Sequence, residues 1–247
     1  MVTAKQKQYL QAMGIQSWIA RNQPEKMTSP ALECCELVAV NELECTDHTA
    51  ALHSNAAPTH LSQYDLNTLA SCVASCTACG LHKTRTQTVF GVGNPHADLL
   101  IVGEAPGANE DRLGQPFVGR AGHLLDAMLK AIGFDRQQVY IANILKCRPP
   151  QNRDPSPEEV AQCTPFLTRQ IELIQPKLIL AVGRIAAHYL LKTTSSLTSL
   201  RGRLHQYGQP AIPLMITYHP AYLLRSPQEK RKAFEDLQKV STLLKKG

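Results

Sequence analysis

Four short apolar runs punctuate the chain beyond its first sixty residues: Asp98–Val102 (DLLIV), Val139–Leu145 (VYIANIL), Lys177–Val182 (KLILAV) and Pro213–Tyr218 (PLMITY). Each has the length of a buried strand. Helical spacing fills the gaps, at Ala121–Ile132, Pro157–Ile174, Arg184–Leu191 and Gln228–Leu244. The second of these has a clear start: Ser156 as N-cap, Pro157 at the first helical position, and Glu159 closing a capping box. A further helix is predicted where Leu66, Leu69 and Val73 share a face. Apolar strands alternating with helices predict a parallel sheet covered on both faces. Ligands of such sheets bind outside the carboxyl ends of the strands, so chemistry is expected just after each apolar run.

Before Tyr64 the pattern is looser. Residues 1–62 form a variable, partly disordered extension, with a short helix within Met1–Ala20 and a linker over Thr49–Ser62. The domain proper is placed at residues 63–247. No apolar run is long enough to span a bilayer, and no leader precedes the extension, so a cytoplasmic protein without a membrane partner is expected.

Charge sharpens the division. The chain carries +6, but residues 1–60 hold four basic against six acidic side chains, leaving +8 on the remainder. A basic body suits a polyanion such as nucleic acid, although many basic domains bind none.

Three strand ends carry candidate chemistry. The first run leads into Gly103-Glu104-Ala105-Pro106-Gly107, then Ala108-Asn109-Glu110-Asp111. It lacks the glycine pattern of a dinucleotide site, but two glycines around a proline let the backbone pass close to a flat ligand. A purely structural turn is the alternative. The second run contains Asn143, whose buried amide must find partners in neighbouring backbone or in a ligand. The fourth ends in His219, with Leu223, Leu224 and Arg225 following. Those leucines fit either a wedge entering a duplex or a covering for the core.

Eight cysteines in a chain with no export signal point to a metal site or free thiols rather than disulfides. Cys76 and Cys79 form a C-x-x-C pair, Cys147 lies past the second run, and Cys163 sits on the capped helix. Four thiolates so placed accept zinc or a [4Fe–4S] cluster, and spacing does not separate the two. Cys72 is a nearby spare, and Cys34, Cys35 and Cys45 have no evident role.

Taken together, GEAPGANED (Gly103–Asp111), QPFVGRAG (Gln115–Gly122), NILKCRPP (Asn143–Pro150) and HPAYLLR (His219–Arg225) resemble family 4 uracil-DNA glycosylases, over roughly Tyr64 to Val240. The resemblance implies a three-layer α/β/α sandwich around a central four-stranded parallel sheet. It implies a [4Fe–4S] cluster on Cys76, Cys79, Cys147 and Cys163, and uracil-containing DNA, single- or double-stranded, as substrate. By the same resemblance Phe117 stacks on a flipped uracil, Asn143 reads its edge and His219 supports the departing base. The Glu104–Gly107 backbone closes the pocket, and Glu110 stands beside uracil C5. Several relatives carry Asp or Asn where Ala105 stands, to orient water. Ala105 cannot do so, which leaves Glu104, Glu110 or Asp111, or a dissociative path needing little activation. Two rival readings are a non-catalytic, cluster-bearing DNA-binding module serving a polymerase, and a nucleotide-binding α/β enzyme with structural zinc.

Overall fold

The computed structural model describes residues 61–246 together with Gln11. The helix expected within Met1–Ala20, nearly all of the linker, and Cys34, Cys35 and Cys45 lie outside the described residues. After a single 3-10 turn at Leu61–Gln63, helix α1 spans Leu66–Ala74, capped by Asp65, whose carboxylate accepts from the Thr68 N–H. Strands follow at Val92–Gly93 (β1), Leu99–Gly103 (β2), Tyr140–Asn143 (β3), Leu178–Val182 (β4), His205–Tyr207 (β5) and Ile212–Thr217 (β6). The intervening helices are Ala108–Leu113 (α2), Arg120–Ala131 (α3), Pro157–Ile174 (α4), Arg184–Leu191 (α5) and Leu197–Leu200 (α6). Pro220–Arg225 (α7) and Lys230–Lys246 (α8) complete the order.

The sheet runs β1-β3-β2-β4-β6-β5. The expectation of four parallel strands needs correction: the sheet is six-stranded and mixed. The four strands that arise from the apolar runs pair in parallel, with Leu100 opposite Tyr140 and Ile179, and Ile179 opposite Leu214. Strands β1 and β5 add antiparallel edges. They are two and three residues long and only partly buried, so they bear no apolar run by which to announce themselves.

Successive strand residues feed opposite faces. Leu100, Val102, Ile179, Ala181 and Ile216 pack with α1, α4 and α5, whereas Leu99, Ile101, Leu178, Leu180 and Met215 pack with α3 and α8. The result is three layers. Helix α4 begins as its sequence dictates: Ser156 Oγ accepts from the Glu159 N–H, and the Glu159 carboxylate accepts from the Ser156 N–H. No helix among the described residues is long and apolar enough to cross a membrane.

Candidate active site and cysteine cavity

The carboxyl ends of β2, β3 and β6 open onto one cleft of about 440 Å³. Glu104, Ala105, Gly107, Glu110, Phe117, Asn143, His219 and Arg225 all line it. The convergence follows from the chain order. The turn after β2 carries Glu104 to Gly107, β3 ends on Asn143, and His219 caps α7 just after β6.

Two absent side chains make room. A Cβ on Gly103 would overlap Asn143 Oδ1 and come within 2.7 Å of Phe117 Cζ. Gly183, which follows β4 at φ +99°, would bring a Cβ to 3.0 Å from that of His219. The aromatic wall is also built under strain. Phe117 holds a left-handed φ of 53°, a conformation that costs a non-glycine residue on the order of 1 kcal/mol or more. Arg136 offsets it by donating to the carbonyls of Pro116 and Phe117, the latter at 3.1 Å, while pairing with Asp126 at 3.1 Å. The Phe117 ring then lies 5.6 Å from that of His219.

Asn143 is the polar centre of the cleft. It is 2% exposed, and its Oδ1 has no hydrogen-bond partner. Leaving a buried acceptor unpaired costs about 1–3 kcal/mol, so a ligand donor is the natural complement. The imidazole of His219 is fixed as well. Its Nδ1 accepts from the Ala221 N–H at 3.1 Å, which leaves the neutral ring's proton on Nε2. Burial, helped by Arg225, pulls its pKa down to about 4 against the opposing pull of Glu110. At neutral pH His219 is therefore an uncharged hydrogen-bond donor.

The carboxylates divide by their partners. Asp111 is buried and accepts from the Thr86 N–H, away from the cleft. Glu110 accepts from the N–H groups of Val118 and Gly119, both at 2.9 Å, and so ties the Phe117 loop to α2. Glu104 lines the cleft, with burial first and Asp154 second raising its pKa to about 7, while Arg184 lowers it.

Sequence reasoning missed the far wall, where Pro149, Asn152, Arg153 and Asp154 face the turn after β2. Asp154 pairs with Arg184 at 2.7 Å. The Pro-rich stretch joining Cys147 to the capped helix was the available signal. One expectation fails outright. Leu223 is fully buried beneath α7 in the core and cannot enter DNA. Leu224 is half-buried, whereas Tyr222 and Arg225 are exposed at the rim.

A second, smaller cavity brings Cys76, Cys79, Cys147 and Cys163 together, and Cys72 is not among its walls. None of these five is disulfide-bonded. Among the described residues no three His, Cys, Asp or Glu side chains stand close enough to bind a single ion as placed. The donor set nevertheless fits a cluster. Arg85 donates to Cys147 Sγ at 3.1 Å and to the Cys76 carbonyl at 2.8 Å, and the Lys146 N–H donates to Cys163 Sγ at 3.2 Å. Burial pushes the thiol of Cys163 up to about 12 and raises those of Cys79 and Cys147. Without metal these three thiols stay protonated, so their thiolate forms require bound cationic charge.

A cleft at the carboxyl edge of an α/β sheet, walled by an aromatic ring and edged by an unsatisfied amide, suits a flat ligand that can donate a hydrogen bond. The Uracil DNA glycosylase superfamily matches residues 90–238. The chain is 44% identical over 177 residues to the type-4 uracil-DNA glycosylase of Archaeoglobus fulgidus, covering 69% of this chain and 89% of that one. It is 45% identical over 178 residues to the type-4 enzyme of Sulfurisphaera tokodaii, covering 69% and 81%. To that of Thermotoga maritima it is 46% identical over 179 residues, covering 70% and 92%. The chain belongs to the uracil DNA glycosylase superfamily, in its type-4 family.

Proposed function

We propose that this protein excises uracil from DNA by hydrolysing the bond between the base and its sugar, leaving an abasic site for base excision repair. One observation carries the assignment of roles: the partnerless Asn143 Oδ1, buried beside Phe117 in the cleft wall. Uracil presents a donor at N3 and an acceptor at O4, the complement of a carboxamide. Cytosine presents the reverse at those positions, and a rigid amide leaves it unpaired at a cost of about 1–3 kcal/mol per group.

A base must leave the stack before its glycosidic bond can be reached. Phe117 gives the flipped ring a stacking face, a contact on the order of 1–3 kcal/mol. Ala105 and Gly107 close the pocket with backbone, and Glu110, locked by two backbone donors, is the wall assigned to C5. When the bond between C1′ and N1 breaks, its electron pair departs with the base. Nε2–H of His219 donates to O2 and stabilises that charge. Water adds to the cationic sugar at C1′ and gives up its proton, for which Glu104 is the assigned acceptor. Leu224 and Arg225, flanked by Tyr222, meet the strand at the rim, and the domain at residues 63–247 holds all of these parts.

Cys76, Cys79, Cys147 and Cys163 hold a [4Fe–4S] cluster in this reading, with zinc the less favoured occupant. The cluster would serve as a structural clasp rather than a reactant.

Uracil release from single- and double-stranded oligonucleotides tests the proposal. Asn143→Ala and His219→Ala should each lower the rate about 10²- to 10³-fold while leaving iron content unchanged. Undiminished release by both variants would place the site elsewhere, and no release by the unaltered protein would favour a non-catalytic DNA-binding module.

A further inference from the structure

Lys146 is the one buried lysine among the described residues, 1% exposed, three residues beyond Asn143 and one before Cys147. Its ammonium donates to two neutral oxygens: the Asn143 carbonyl at 2.8 Å and Gln170 Oε1 at 2.6 Å. Its backbone N–H donates to Cys163 Sγ, and its carbonyl accepts from the Val89 N–H at 2.8 Å. Gln170 is held in turn, because its Nε2 donates to the Phe90 carbonyl at 3.0 Å. Cys163 and Gln170 lie two turns apart on one helix, α4, and so present the same face. The segment from Asn143 to Cys147 is thus fastened to that face twice, by main chain at Cys163 and by side chain at Gln170.

The Asn143 side chain cannot fix itself, since its oxygen has no partner within the protein. Its direction is set by packing against Gly103 and by its backbone, which pairing with β2 holds on one side and Lys146 holds at the carbonyl. We propose that Lys146 is a positioning residue through which the cysteine site fixes the base-reading amide of Asn143. The inference rests on the reading of Asn143 given above. It makes the four cysteines and the cleft one mechanical unit, joined over five residues of chain. A loosened cysteine site then degrades uracil recognition by way of Lys146 before the sheet is disturbed.

The test is a cycle of Lys146→Met, Asn143→Ala and the double variant in the iron-loaded protein. It is read by single-turnover uracil release and by calorimetric binding of free uracil. Iron content and melting temperature serve as controls. Lys146→Met should retain iron yet bind and cleave about ten- to a hundred-fold less well, as expected when a buried charged donor is removed. In the Asn143→Ala background the same change should add almost nothing, because partners in one pathway are not additive. Full additivity, or normal uracil binding by Lys146→Met at full iron content, overturns the proposal. Should Lys146→Met fail to load iron, Gln170→Leu keeps the ammonium and every cysteine. It should weaken uracil binding several-fold, and unaltered binding overturns the proposal equally. Undiminished activity of Asn143→Ala alone would instead bring down the reading of the cleft.

Discussion

The cleft and the cysteine cavity lie on the same chain but are assembled by opposite means. The cleft is complete in protein atoms. Arg136 and the Ala221 N–H fix its ring and imidazole, two glycines make room for them, and the Asn143 oxygen alone has no protein partner. The cavity gathers side chains from three distant segments, and burial drives its thiols toward a neutral form that cannot ligate. The fold thus presets the cleft's ring and imidazole, whereas in the cavity burial works against the thiolate form of Cys79, Cys147 and Cys163. On the proposed reading, the first site is completed by its substrate and the second by its cluster.

The sharpest break in this contrast is Cys163→Ser. It should abolish stable iron loading and lower the melting temperature by about 10 °C or more, because cluster binding energy is folding energy. Iron analysis and calorimetry would show it, and an iron-free variant of unchanged stability would make the cavity as self-sufficient as the cleft. Leu223→Ala should come next, costing about 2–5 kcal/mol as a core truncation. Leu224→Ala at the rim should weaken DNA binding with a smaller loss of stability. Equal effects from the two in denaturation and in a DNA-binding titration would contradict the burial difference.

Arg136→Ala tests how the cleft holds its aromatic wall. With the Pro116 and Phe117 carbonyls released, the left-handed Phe117 should relax, raising KM for uracil DNA by about ten-fold with iron content intact. Added guanidinium should restore part of the loss.

The smallest effect concerns Glu104. Burial and Asp154 hold its folded pKa at about 7, above the ordinary value of 4.5. The folded state therefore binds the proton more tightly. That contribution to stability is complete below about pH 4.5 and is lost as pH rises through about 7. Between about pH 5 and pH 8 the melting temperature should fall by a degree or two relative to Glu104→Gln. Parallel curves for the two proteins would show that Glu104 titrates normally.

The strands, the principal helices and the cleft's inner residues were legible because each rests on local signals. Apolar runs mark β2, β3, β4 and β6, the Ser156–Glu159 box marks α4, and Asn143 stands out as an amide among apolar neighbours. What escaped depends on pairing across the fold. The edge strands β1 and β5 exist only by lying beside longer partners. Arg136 reaches back nineteen residues to Phe117, and Arg184 reaches thirty to Asp154. A polar side chain in a loop announces nothing about so distant a partner. Leu223 misled for a related reason: adjacent leucines on a short helix point about 100° apart, and only the packed structure shows that the core buries Leu223 fully and Leu224 in part.

Gly103 carries a wider consequence. A Cβ there would overlap both the Asn143 oxygen and the Phe117 ring, so any larger residue at 103 would displace the amide and the stacking face together. Change at the end of that strand therefore alters both recognition elements at once. Adaptation toward larger lesions is thereby steered to the outer rim, where Tyr222, Arg225 and the loop at Pro149–Asp154 can change without moving the sheet.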